Sequence, residues 1–248
     1  MAQLPKEIEA RFDDFSAQWK VEHEKVIAEL AAYRTGYLQS YSRIVSLNAW
    51  RESLLSTQIS ADALAFFLEA QNDALVSHVF AGMGSWRSAL KSLRSCIENV
   101  GFCLFYKDHP VELELWHHGQ HRLEFSALFD YLSRHPQVAS INRQCSGLDV
   151  LRKEYGVLSR AVHGSATFRM TAGQQSTALW ESSKANLSRW AIRESATLAG
   201  LNLLLLVMFR DHLQGARLPS LRDVISLAVP ASKYALVKQQ LGVSLSPH

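Results

Sequence analysis

Two stretches of this 248-residue chain carry side chains that could do chemistry together. In the first, Arg87, Lys91, Arg94 and Glu98 recur at steps of four, three and four, so one face of a helix presents all of them. Arg94 and Glu98 are close enough to pair, either on a solvated face or as an interior ion pair that orients a neighbour or contacts an anion. In the second, Tyr155, Ser159 and His163 are spaced by four, with Arg152 beside them and Arg160 adjoining His163. His163 stands just before Gly164, a residue suited to a left-handed helix cap, and the negative end of the helix favours an imidazolium there. A histidine near neutrality among arginines can move a proton from a hydroxyl while the guanidinium groups steady a phosphate. The plainer role for His163 is to complement the helix dipole and bond a neighbouring carbonyl.

Other constellations point away from metals and nucleotide cofactors. His117, His118 and His121 include an i,i+4 pair, the spacing with which a helix can hold zinc. No H-E-x-x-H and no nearby cysteine pair accompanies them, and Gly119 weakens the helix, so a polar surface patch is expected and no metal site. Glu112 and Glu114 read as the acidic first turn of a helix. No Walker loop, dinucleotide fingerprint or G-x-S-x-G elbow occurs, and no cofactor is expected. The tail sets Arg217, Arg222, Lys233 and Lys238 against Asp223; its leucines dock it as a surface helix, or its cations contact phosphates.

Composition narrows the class. With 48% hydrophobic and 20% charged residues, 12 Gly, 6 Pro and 3 Cys, the chain is neither disordered nor collagen-like nor built on disulfides. A net charge of +3 is too mild to announce nucleic acid by itself, although residues 137–170 alone carry +3. Cys96, Cys103 and Cys145 read as reduced, buried thiols. The start, MAQLPKEIEARFDDF, lacks a basic region followed by an apolar one. The apolar run Leu198–Phe209 falls short of the roughly 20 residues needed to span a bilayer. These features predict a cytoplasmic protein without membrane association.

Helical periodicity must position the two stretches. Ile8, Phe12, Phe15, Trp19, Val26, Leu30, Tyr33, Tyr37 and Ile44 follow a three-and-four spacing broken only at Glu22. Uninterrupted, residues 6–46 would make a helix of roughly 60 Å, so it either bends near Gly36 or reaches out to a partner. Further helices are predicted from Ser60, over Ser85–Tyr106, over Val111–Ser133, over the run LDVLRKEYGVLSRAVHG, and from Ser182 to Leu213; residues 165–177 read as loop. Strand patterns are lacking. The expected fold is all-α: a long N-terminal helix or arm over 1–58, a helical bundle over 59–215 and a small basic helical extension over 216–248.

The pairing of RSALKSLRSCIEN with a later helix ending YGVLSRAVHG resembles the HEPN superfamily over about residues 70–213. That resemblance implies a four- to five-helix bundle, often dimeric, of the kind found in bacterial toxin–antitoxin and antiphage systems. Active members are metal-independent ribonucleases that use an Arg and a His at a helix end. Carried over, Arg160 and His163 become the catalytic pair and Arg94 with Glu98 orient the site. Arg87, Lys91, Arg152, Tyr155 and Ser159 would then contact RNA. Family nucleases place four to six residues between the Arg and the His, whereas two lie between Arg160 and His163. Two expectations stand side by side: an RNA-acting effector, or a non-catalytic interaction and assembly subunit that uses its N-terminal helix to form a homodimer or bind a protein partner.

Overall fold

Pro5 enters the first turn of a helix without costing a hydrogen bond, and the apolar spacing behind it sustains α1 (Gln3–Ala32), about 45 Å long. The computed structural model describes residues 3–163, 183–215 and 217–246, and in it Val26, Glu29 and Leu30 near the C-terminal end of α1 meet Ala81, Gly82, Trp86 and Leu187 of the bundle. Val26 is its one buried side chain among those described. The bend expected at Gly36 falls at Tyr33, where the backbone leaves helical angles (φ −100°, ψ 17°) before α2 (Arg34–Trp50) resumes. Gly36 is nevertheless part of the cause. The Tyr33 ring lies so close that a Cβ at Gly36 would stand 2.5 Å from it.

The chain then folds back and forth. After α2 a wider π-helical turn, Arg51–Leu55, buries Leu54 and Leu55 together, and a last α-helical turn follows at Ser56–Gln58. The Ser60 hydroxyl caps α3 (Ala61–Gly82) by accepting the Ala63 N–H. A tight turn leads into α4 (Trp86–Asp108), which packs along α3 as an αα-hairpin. Pro110 begins α5 (Pro110–His117), and α6 (Phe125–Arg134) follows. The single helix expected over Val111–Ser133 is therefore two. Gly119 adopts a left-handed conformation (φ +69°), and residues 121–124 are irregular.

Short turns at Pro136–Ala139 and Arg143–Ser146 lead to α7 (Leu148–Val162). α8 (Lys184–Met208) is capped by the Ser183 hydroxyl; the backbone breaks at Phe209, and a further helical turn over Arg210–Leu213 carries the run to the expected Leu213. α9 (Pro219–Ala228) and α10 (Tyr234–Leu241) close the chain. The predicted loop 165–177 and the Gly164 cap lie outside the described residues. No strand occurs among the described residues, and the fold is an all-α bundle.

Every residue of α8 from Leu198 to Met208 is buried. By length and composition alone this helix could cross a membrane, and here other helices surround it. Polar pins set its register. Asn202 accepts the Trp50 indole N–H at 2.9 Å and donates to the Ser46 hydroxyl at 2.8 Å. Glu194, with only 1% of its side chain exposed, pairs with Arg43 at 2.5 Å. Two rungs from α3 complete the polar layer: Ser40 bonds His78 Nδ1 at 3.0 Å, and the Trp190 N–H reaches Ser77 at 3.0 Å.

One hydrophobic cluster runs from Ile44 through α3, α4, α7 and α8 to Leu245, so the core passes across both boundaries expected at 58 and 215. α2 packs against α8 and α9, which makes it part of the bundle and leaves α1 alone as the arm. Cys96, Cys103 and Cys145 are buried and unbonded to one another, and burial pushes each thiol upward.

Two glycines in neighbouring elements should respond oppositely to alanine. A Cβ at Gly147 (φ +73°) would sit 2.2 Å from the Gly200 carbonyl oxygen, whereas Gly156, inside α7, has open space. Gly147→Ala should lower stability by about 2 kcal/mol or more, and Gly156→Ala should raise it by about 0.5–1 kcal/mol, both read from urea midpoints. Acid should also act through the polar layer. Burial, helped by the Arg43 charge, holds His78 at about 4 against its ordinary 6.5. The unfolded chain therefore takes up the proton first, and stability is lost as pH falls below 6.5, at up to about 1.4 kcal/mol per unit. Burial raises Glu194, which shifts stability the opposite way over the same range. The reading is thus a difference: between pH 6.5 and 4.5, His78→Gln should lose less stability than wild type in parallel urea titrations.

Candidate functional site

α4 and α7 cross with the two candidate faces toward each other, and the leucines explain why. Leu90, Leu93, Ile97 and Leu104 on α4, and Leu148, Leu151 and Leu158 on α7, are buried against the core. The adjoining polar faces are then left looking across the seam between the helices. Arg94 donates through Nε to Ser159 Oγ at 3.2 Å and through Nη2 to the Tyr155 hydroxyl at 2.7 Å. The Tyr155 hydroxyl in turn donates to Glu98 Oε1 at 2.8 Å, and Arg94 closes the ring with Glu98 at 2.9 Å. The guanidinium carbon lies 4.9 Å from the centre of the Tyr155 ring, while Phe125 stacks on that ring at 3.6 Å and so takes the opposite face.

Four of the sequence candidates, Arg94, Glu98, Tyr155 and Ser159, therefore converge. The other five do not. Arg87 serves the end of α7 instead: its Nε and Nη2 donate to the Ala161 and Val162 carbonyls at 3.1 and 2.9 Å, groups that the helix leaves without internal partners. Lys91 points into solvent, one step around the wheel from Arg94. Arg152 turns to α6, where it lies 3.6 Å from Asp130 and 5.5 Å from the centre of the Phe129 ring. Arg160 and His163 are exposed, with no side-chain hydrogen bond or ion pair to any described residue. Among the described residues the His163 side chain is exposed while the Arg94 guanidinium is turned to Ser159 and Tyr155, so nothing joins the imidazole to that guanidinium. One helix turn separates Ser159, which Arg94 touches, from His163, and the α7 face that holds Ser159 inward has rotated toward solvent by the helix end.

The converging group opens into a cleft of about 490 Å³ between α3, α4, α5, α6 and α7. Phe66, Phe102, Tyr106, Trp116 and Phe125 supply aromatic walls, and Asn99, Arg122 and Glu124 join the polar rim. Behind Asn99 lies Asp73, which accepts its amide at 2.8 Å. Burial, with the nearby carboxylates of Glu69 and Glu98, raises Asp73 to about 6 although the Asn99 bond opposes it. Burial and the bond to Glu98 raise the Tyr155 hydroxyl, so it keeps its proton and acts as a strut. A paired guanidinium and carboxylate, a protonated phenol and aromatic walls make a binding surface.

Sequence reasoning missed the aromatic walls, Asn99 and Asp73. Phe102 and Tyr106 are four apart and read as core. Asp73 carries no motif and meets Asn99 only once α3 and α4 pair. Of the three histidines, His117 and His118 are exposed and His118 meets Glu114 at 3.1 Å, whereas His121, beyond the break at Gly119, is half-buried against Phe105 and Tyr106 with its Nε2 enclosed, so the expected surface patch holds for two of them.

Tyr155→Phe deletes the hydroxyl that joins Arg94 to Glu98 without emptying space. It should cost about 1–2 kcal/mol in urea unfolding, and in an Arg94→Ala background the same change should cost measurably less, since the bridge is then already broken. The chain matches no family model, no curated protein and no solved structure.

Proposed function

We propose that this chain is a HEPN-like assembly subunit, non-catalytic, that associates with a second copy of itself through α1. One observation carries the reading. Leu4, Ile8, Phe12 and Phe15 are 46–64% exposed on the arm, at the spacing that lines one helix face. So exposed an apolar face, on a helix whose one buried side chain among those described is Val26, marks an interaction surface. The occupant follows from charge and from a matching patch. α1 holds four cations and seven carboxylates, which leaves −3, while the rest of the chain carries +6. Two arms alone would repel, whereas an arm laid on the partner's bundle is complementary. The bundle offers exposed Leu38, Tyr41 and Val45 on α2 beside Leu75 and Val79 on α3. Reciprocal exchange of arms onto these faces gives a closed two-fold dimer.

The resemblance of the α4 and α7 motifs to HEPN proteins supplies the setting, a bacterial toxin–antitoxin or antiphage system, and the three buried thiols suit the reducing cytoplasm. Against the RNA-acting alternative stand the solvent position of Arg160 and His163 and the closed ring around Arg94.

Light scattering on a sizing column should give a dimer at micromolar concentration for wild type, and a folded monomer for the double variant Phe12→Glu, Phe15→Glu. A wild-type monomer, or a dimer indifferent to that variant, removes the reading. RNA cleavage that persists in EDTA and disappears in His163→Ala would put the ribonuclease reading in its place.

A further inference from the structure

We propose that the cleft beside Arg94 binds an organic cation of the methylammonium class, cradled by the rings of Phe66, Phe102, Tyr106 and Trp116 and faced by the Glu98 carboxylate. This stands apart from the dimer: none of these residues lies on α1 or on the bundle patch assigned to it.

The ring geometry selects the shape of the ligand. Phe66 meets Trp116 at 5.0 Å and 62° and Phe102 at 6.0 Å and 56°, while Tyr106 meets Trp116 at 6.3 Å and 48°. Rings tilted in this way form the corner of a box, which suits a rounded group with polarised C–H bonds on all sides. A flat nucleobase needs two parallel plates with a gap between them. The two closely parallel pairs at the cleft, Tyr155 with Phe125 at 3.6 Å and 23° and Phe66 with Tyr106 at 5.1 Å and 29°, are each stacked ring on ring with no gap for a base between them.

Charge selects its sign. Glu98 and Glu124 line the cleft with Arg94 and Arg122, and three more carboxylates stand behind that lining: Asp73 on Asn99, Glu69 near Asp73 and Glu112 near Tyr106. Arg94 is matched by Glu98 and rests on the Tyr155 ring; Arg122 is exposed and lies 3.3 Å from Glu124. The field is felt at two separate points. Burial raises Tyr106, and the Glu112 charge adds to it; burial raises Asp73, and Glu69 and Glu98 add to it after the Asn99 bond is taken off. Glu98 commits Oε1 to Tyr155 and Arg94, and Oε2 has no protein partner among the described residues. An anionic ligand would meet Glu98 and Glu124 in the lining and the field of the carboxylates behind them. A quaternary or methylated ammonium meets π-faces and negative charge together.

The test compares choline with 3,3-dimethylbutan-1-ol, its uncharged carbon isostere, by calorimetry on the full chain. Choline should bind at least about tenfold more tightly than the isostere, and Trp116→Ala and Glu98→Gln should each weaken choline by about tenfold with circular dichroism unchanged. Trp116 is 43% exposed, so its truncation leaves the core intact and keeps the test valid if Glu98→Gln unfolds. A trimethyl-lysine peptide titrated in parallel separates the two sources of the group. Tighter binding of the peptide assigns a protein tail, and tighter binding of choline assigns a free small molecule. No choline binding at millimolar concentration, equal binding of the isostere, or undiminished binding by both variants overturns the proposal.

Discussion

Over Leu198 to Met208 the helix that runs through the middle of this molecule has no face left for water, and that constraint organises everything around it. α8 is buried from Leu198 to Met208 on every side, so neighbours must cover it completely, and leucines alone would let them slide. Asn202 and Glu194 remove that freedom. Each is buried, and each finds partners on α2, Ser46 and Trp50 for one and Arg43 for the other. A buried carboxylate without Arg43 would cost several kcal/mol, so the pair fixes register far more firmly than it adds stability. With α2 locked to α8, α3 follows through the Trp190–Ser77 and Ser40–His78 bonds, and α4 follows α3 as its hairpin partner.

The seam between α4 and α7 is downstream of that arrangement. Its polar faces meet because the leucine stripes on the other sides are committed to the core. Tyr155 then finds a guanidinium on one face, a phenyl ring on the other and a carboxylate at its hydroxyl. Such a residue is better built to hold a surface still than to move a proton. The aromatic cleft beside it inherits that rigidity, and its rings come from four consecutive helices, α3 to α6.

What could be read from the chain follows the range of the forces involved. Helices and the all-α class were legible because apolar spacing and caps such as Ser60 and Pro110 act within a few residues. The pairing of Arg94 with Glu98 was legible for the same reason, at i,i+4. That Tyr155 and Ser159 share one helix face was legible from their spacing of four, and the leucine stripes of both helices turn that face toward the pair. His163 was misplaced because the stripe does not say how far the inward face extends; a helix end can leave the seam a turn early. The break at Gly119 was visible as a weakness, yet only the left-handed backbone turned it into two helices. The cleft was illegible. Phe66, Phe102, Tyr106 and Trp116 look like ordinary core residues until tertiary packing leaves a hollow between them.

The three cysteines bear on how this protein can be followed in time. Cys96 and Cys103 sit on α4 and Cys145 just before α7, all enclosed and all held in the protonated form by burial. Thiol reagents in solution attack the thiolate, so neither accessibility nor chemistry permits labelling while the helices stay together. Modification thus becomes a clock: its rate reports how often the α4–α7 region opens, without any dye or isotope introduced beforehand.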